Sequence, residues 1–295
     1  MTDEFCRELS LVAGEPLAGS AVHVHTWIVL EVREPWEKKH LPGSTLSNEV
    51  KERIERWLDE IPQSRLQFIR RPAGEGAPPL AFFVARSDVA EPWLLRFEMA
   101  TYPQLLGIDL PEVLRTGIHV RGSRVHEPLY LVCCHGKRDR CCAKWGVALH
   151  DTVCDAAPDR TWQTTHLGGH RFAATMVVLP HGICYGRLEG GEGPEIVTAH
   201  ERGEVYDPSR MRGRSAYEPA AQAAEIELRR RLGDRTLAGQ RLHGTELVDA
   251  GTRVRFATPD GAEHVVDVTE IRIAGERPTS CGDEPSAIEG LRVLG

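Results

Sequence analysis

Apolar positions along the chain fall into two periods. Residues 21–32 carry Val22, Val24, Trp27, Ile28, Val29 and Leu30, a β-branched and aromatic run that predicts a strand. Shorter apolar runs at 66–69, 80–85 and 93–99 predict three more. Between the first two, Val50, Ile54, Trp57, Leu58 and Ile61 fall at i, i+4, i+7, i+8 and i+11, one face of a helix. Ser47 is placed to cap that helix and Pro62 to stop it. These elements predict a mixed α/β N-terminal domain over residues 1–122.

A second domain is expected over 123–206. A strand at 128–134 ends in a cysteine pair, and a helix over 141–155 gathers Trp145, Ala148, Leu149 and Val153 on one side. A strand at 161–167 is broken by Gly168-Gly169. Strands at 172–179 and 183–188 are joined through Pro180-His181-Gly182, and a helix over 194–202 carries Pro194 in its first turn. The order β-α-β-loop-β-β-α matches a thioredoxin-like half-sheet in which a Gly-Gly loop replaces the usual central helix. Residues 207–295 read as an arginine-rich linker (207–215), a helix (219–232) and a small β-rich extension with a hairpin at 254–257 and 264–268. The sequence shows no internal repeat.

Composition narrows the function. Hydrophobic residues make up 41% and charged residues 27% of the 295, which suits a packed core. A net charge of −7 argues against a general nucleic-acid binder, and 31 of the 36 cations are arginine. No apolar stretch approaches the ~18 residues of a membrane span. The acidic start Met1-Thr2-Asp3-Glu4-Phe5-Cys6 has no apolar run behind it, so a cytoplasmic location is expected. In a reducing compartment the eight cysteines point to thiols, metal ligands or redox groups rather than a disulfide framework.

Cysteine and histidine concentrate in one stretch. Cys133, Cys134, His135, Cys141, Cys142, His166 and His170 lie within 38 residues, at expected loop ends. Two thiolates from the strand-to-helix loop and two imidazoles from the Gly-Gly turn make a Cys2His2 set for a metal or cluster. The same set also suits structural zinc. A Rieske centre would need a later C-x-x-H, which is missing, and a thioredoxin-type C-x-x-C is missing too. Thiol oxidoreductase chemistry would have to use Cys141 or Cys142. No G-x-S-x-G or phosphate-binding Gly-Lys-Ser/Thr loop supports a hydrolase. Asp139 is expected to brace the cysteine loop, Lys137 and Arg138 to offset thiolate charge or meet an acidic partner, and His135 to cap the loop or support a ligand. Arg171 and Arg187 are candidates to approach the site. Cys154 falls in a helix; Cys6, Cys184 and Cys281 are isolated in sequence and read as structural.

The segment Cys133-Cys134-His135-Gly136-Lys137-Arg138-Asp139-Arg140-Cys141-Cys142-Ala143 resembles the C-x-H-G-x-R-D-x-x-C segment of the sucrase/ferredoxin-like family. His166-Leu167-Gly168-Gly169-His170-Arg171-Phe172-Ala173 is similar to that family's H-x-G-G-H-[RK]-F-A segment. The likeness extends to residues 14–20, to Arg212-Gly213-Arg214-Ser215 and to Gln222-Ala223-Ala224-Glu225. It implies a thioredoxin-like ferredoxin domain holding a [2Fe-2S] cluster. By position the ligands would be Cys133, Cys142, His166 and His170, with Cys134 and Cys141 as the alternative thiolates. A redox partner protein of unknown identity is implied, with no nucleic acid and no membrane; the sequence leaves the oligomeric state open. Zn2+ remains the alternative cofactor.

Overall fold

The strand expected over residues 21–32 forms over Thr26–Glu31, where every side chain is buried. Its first residues instead turn, with the Val24 N–H bonded to the Ser215 carbonyl and the His25 N–H to that of Gln63. The computed structural model describes residues 5–71, 79–88 and 90–294, so Met1 to Glu4 of the acidic start lie outside it. A short helix, α1 (Cys6–Val12), comes first. Then follow β1 (Thr26–Glu31), α2 (Asn48–Glu60), β2 (Ser64–Arg70), β3 (Leu80–Arg86), β4 (Trp93–Met99), α3 (Leu110–Thr116) and β5 (Gly122–Val125). Next come β6 (Leu129–Cys133), α4 (Arg140–Ala156), β7 (Thr161–Thr164), β8 (Met176–Leu179), β9 (Ile183–Tyr185), α5 (Gly193–Glu201) and β10 (Met211–Arg214). The chain ends in α6 (Pro219–Leu232), β11 (Arg241–Val248), β12 (Gly251–Ala257), β13 (Glu263–Arg277) and β14 (Ser286–Val293). No described helix is long and apolar enough to cross a membrane.

The ten strands β1–β10 form one mixed sheet in the order β10-β9-β8-β6-β7-β2-β1-β3-β4-β5. That order repeats itself about its centre. β1 pairs parallel with β2 through the α2 crossover and antiparallel with β3, and β4 and β5 follow outward. β6 pairs parallel with β7 through α4 and antiparallel with β8, and β9 and β10 follow outward. The halves join by a short antiparallel contact, Ile69 opposite Thr164 and Arg70 opposite Gln163. A topological repeat therefore exists where the sequence displays none.

Three cores hold the sheet. α2 buries Val50, Ile54 and Trp57 against Ile28, Phe68, Phe82 and Phe97. α4 and α5 bury Leu149, Val153 and Ile196 against Tyr130, Val132, Val178 and Tyr185. A third cluster draws on both halves, with Trp27, Val29, Phe83, Leu131, Trp162 and Val177. The second domain is thus continuous in sheet and core with the first.

The arginine-rich segment 207–215 is not a linker. Met211–Arg214 is the edge strand β10, and Arg212 and Arg214 are 3% and 1% exposed. The Arg214 guanidinium donates to Glu225, which also accepts from Arg229, so buried charges cancel inside the fold. The C-terminal extension is a four-stranded antiparallel sheet, β11-β12-β13-β14. It packs Val254, Phe256, Val266 and Val268 onto Ala221, Ala224 and Leu228 of α6.

Candidate metal centre

β6 carries Cys133 to its end, where the Cys133 N–H bonds to the Thr175 carbonyl at 3.0 Å and the Cys134 N–H to that of Thr164 at 3.1 Å. Successive side chains on a strand face opposite ways. Cys133 accordingly joins the core shared by both halves, and Cys134 joins the core beneath α4. The next loop is short because α4 starts at once: the Asp139 carboxylate caps it, accepting the Cys141 N–H at 2.8 Å. Successive helical residues point about 100° apart, so Cys142 turns toward Cys133 while Cys141 turns away. Gly146 permits the close approach of α4 to β6. A Cβ at that position would lie 2.0 Å from the Cys133 carbonyl oxygen.

The second pair of donors comes from the Gly-Gly turn. Gly168 and Gly169 adopt φ of 88° and 65°, a left-handed region that favours glycine. The turn folds the chain back so that the His166 and His170 rings lie 4.7 Å apart, with His170 Nδ1 3.2 Å from His166 Nε2. Buried Arg212 donates to the Gly168 carbonyl at 2.8 Å, and Arg65 to the His166 carbonyl at 2.9 Å. A Cβ on Gly169 would meet Arg212 Nη2 at 2.5 Å.

Cys133, Cys142 and His166 bring one donor atom each to within 4.8 Å of one another, a group that could hold a metal ion. Cys142 Sγ lies 3.8 Å from His166 Nδ1. His170 contacts His166 but lies outside this three-residue group. The Cys142 thiol donates to Cys133 and holds it well below the usual thiol range in spite of burial; His166 and the His135 N–H act in the same sense. Cys142 is pushed up by that same contact and by burial. Burial lowers His170 to about 4, with His166 helping and Asp139 opposing. A buried thiol poised to ionise beside unprotonated imidazole is the donor chemistry that a thiophilic cation requires. The residues present therefore fit such a group.

Cys134 and Cys141 do not meet the histidines. Burial raises the Cys134 thiol well above its usual value. Cys141 belongs to a second cluster that the sequence did not suggest: Cys6, Asp139, Cys141 and Cys281 converge to within 4.8 Å. Cys6 and Cys281, isolated in sequence, are not isolated in space. Cys184, by contrast, is a buried thiol directed at the Gly182 carbonyl.

The first half of the molecule roofs the centre. The loop between β1 and α2 sets the Glu37 carbonyl 3.0 Å from His135 Nε2 and the Glu37 carboxylate 2.5 Å from Lys137 Nζ; Trp36 meets His135 edge-on. A cavity of about 560 Å³ opens there, with His166 on its wall among Lys38, Lys39, His40, Arg65 and Arg138. Arg171 and Arg187 turn instead to the N-terminal segment. Arg171 pairs with buried Glu15 at 2.5 Å, and Arg187 bonds the Ser10 hydroxyl and the Glu15 carbonyl.

A family model described as sucrase/ferredoxin-like matches residues 17–213, about two thirds of the chain. The protein belongs to the sucrase/ferredoxin-like family. No curated protein and no solved structure gave a match. The stretch shared with the sucrase/ferredoxin-like family runs from before β1 into β10. It includes both cysteine pairs and both histidines of the centre, whereas Cys6 and Cys281 fall outside it.

Proposed function

We propose that this protein is an electron carrier whose [2Fe-2S] cluster is held by Cys133, Cys142, His166 and His170. The observation that carries the reading is the meeting of two buried thiols and the His166 imidazole, with His170 in contact with His166, at the ends of β6, α4 and the Gly-Gly turn. When bound, such a cluster takes up and releases one electron at a time. Cys133 and Cys142 supply negative charge from the dry interior. His166, half-buried on the cavity wall, lies on the side open to a partner. Lys38, Lys39, Arg65 and Arg138 around that cavity favour an acidic redox partner. The ferredoxin half, β6 to β10 with α4 and α5, is read as thioredoxin-like, and the cytoplasm as its compartment.

Two imidazoles in place of two thiolates make the donor set two charges less negative. Uptake of an electron is then easier than in an all-cysteine ferredoxin at about −400 mV. A His170 that binds through Nδ1 keeps its proton on Nε2, which lies 3.8 Å from Asp139 Oδ2. Burial raises the Asp139 carboxyl, but the N–H groups of Cys281 and Cys141 outweigh it, and the group stays ionised where it stabilises that proton. Only where the oxidised site had already lost that Nε2 proton would uptake of an electron bring a proton back to Nε2. The midpoint potential is expected to lie above −400 mV and, at pH above the point where the oxidised site loses the Nε2 proton, to fall by up to ~59 mV per pH unit. A pH-independent potential that does not change in His170→Cys protein still holding a cluster rejects the histidine assignment.

The spacing of Cys133, Cys142 and His166 within 4.8 Å also matches a single ion, which favours zinc as the second reading. Metal and sulfide analysis separates the two.

A further inference from the structure

The cluster of Cys6, Cys141 and Cys281 lies outside the proposed electron-transfer centre. Its three thiols come from α1, from the first turn of α4 and from the loop between β13 and β14. Their sulfurs form a closed triangle with edges of 3.3, 3.4 and 3.6 Å. Cys6 and Cys141 are 1% and 0% exposed, and Cys281 is half-buried.

The fourth group is Asp139. Its Oδ1 lies 3.9 Å from Cys6 Sγ and accepts the Cys141 N–H. Its Oδ2 accepts from the Cys281 N–H at 2.7 Å and the Ser280 hydroxyl at 2.9 Å. The carboxylate is thus fixed beside the triangle. Backbone donors also face the sulfurs, the Arg7 N–H at Cys141 and the Cys6 N–H at Cys281.

Three thiols and a carboxylate brought together from both ends of a chain gain little from one another. Thiol hydrogen bonds are weak, and a buried carboxylate is costly to desolvate. One divalent cation accounts for all four. In a tetrahedral zinc site with Zn–S bonds of about 2.3 Å, the sulfurs stand about 3.8 Å apart. The triangle would open by only about 0.2–0.5 Å to seat the ion. A disulfide accounts for less, because any one pair would leave the third thiol unexplained.

We propose that Cys6, Cys141, Cys281 and Asp139 bind one structural Zn2+ ion. The ion fastens α1 and the β13–β14 loop to the first turn of α4, one residue from Cys142. Cys6 and Cys281 lie outside the stretch matched by the family model.

The test is native mass spectrometry of the full-length protein, prepared without oxygen and supplied with Zn2+, with iron measured in parallel. One zinc per chain is expected. Cys281→Ser, in the half-buried loop, should weaken zinc retention at least tenfold and leave the iron content in place. Cys281→His should restore zinc binding. Cys133→Ser should do the opposite of Cys281→Ser, losing iron and keeping zinc. Circular dichroism of each variant separates a lost ligand from a lost fold. A parent chain that takes up no zinc, a Cys281→Ser chain that keeps it, or a disulfide between any two of the three cysteines under these conditions overturns the site.

Discussion

The two halves of the large sheet have one connectivity and opposite content. In the first, β1 and α2 are joined by the long segment 32–47, and α2 presents Val50, Ile54 and Trp57 to the sheet. In the second, β6 and α4 are joined by the short segment 134–139, and α4 presents Cys142 and Gly146 beside Cys133. The bulky helix face fills its half with an apolar core. The small-residue face lets the helix start come down onto the strand end, and there the donors meet. The first half then lends its long loop as a roof, through Trp36 and Glu37 on His135. One half carries the chemistry and the other shields it.

The largest expected effect separates the cysteines within the second half. Cys133→Ser or Cys142→Ser should remove nearly all bound iron, and Cys134→Ser, whose side chain lies beneath α4, should leave it in place. Iron analysis and the visible spectrum decide; loss in Cys134→Ser with retention in Cys133→Ser would reverse the assignment.

Gly146 tests why the second half can host a site at all. In an ordinary helix interior, Gly→Ala gains about 1 kcal/mol. Here the added Cβ would meet the Cys133 carbonyl at 2.0 Å, so Gly146→Ala should instead cost about 2–3 kcal/mol and loosen the metal. Thermal melts measure the sign. A stabilised variant would show that close approach is not what the centre depends on.

A smaller effect concerns whether the halves unfold together. His40, in the roof loop, and His200, under the second half, are lowered by burial to about 4 and about 3. Unfolded histidine takes up a proton near pH 6.5, and these folded rings do not until well below it. The unfolded state therefore binds more protons, and stability falls as pH drops from about 6.5 toward 4. Each ring contributes up to about 1.4 kcal/mol per pH unit. Because the sheet is continuous, one cooperative transition is expected, with a shallower acid slope in His200→Gln. Two separate transitions would mean the halves are independent domains.

Much of this was legible in the sequence. The period of α2, its Ser47 cap, and β4 at residues 93–99 were readable because local pattern and tertiary burial agree there. The cysteine and histidine motifs pointed to Cys133, Cys142 and His166, which converge in space, because these donors lie close in sequence. The repeat was hidden because topology is kept by backbone pairing while side chains diverge. β10 was hidden because Arg212 and Arg214 look like surface residues until their partners, Gly168 and Glu225, are known. The cluster at Cys141 was hidden because Cys6 and Cys281 are separated by nearly the whole chain, and no local pattern links them.

The most direct test of the electron-carrier account is iron and acid-labile sulfide analysis of protein purified without oxygen, together with its visible spectrum. The account predicts a red-brown protein with about two irons and two sulfides per chain. A colourless, folded protein with neither iron nor sulfide, and with zinc at Cys133 and Cys142, would contradict it.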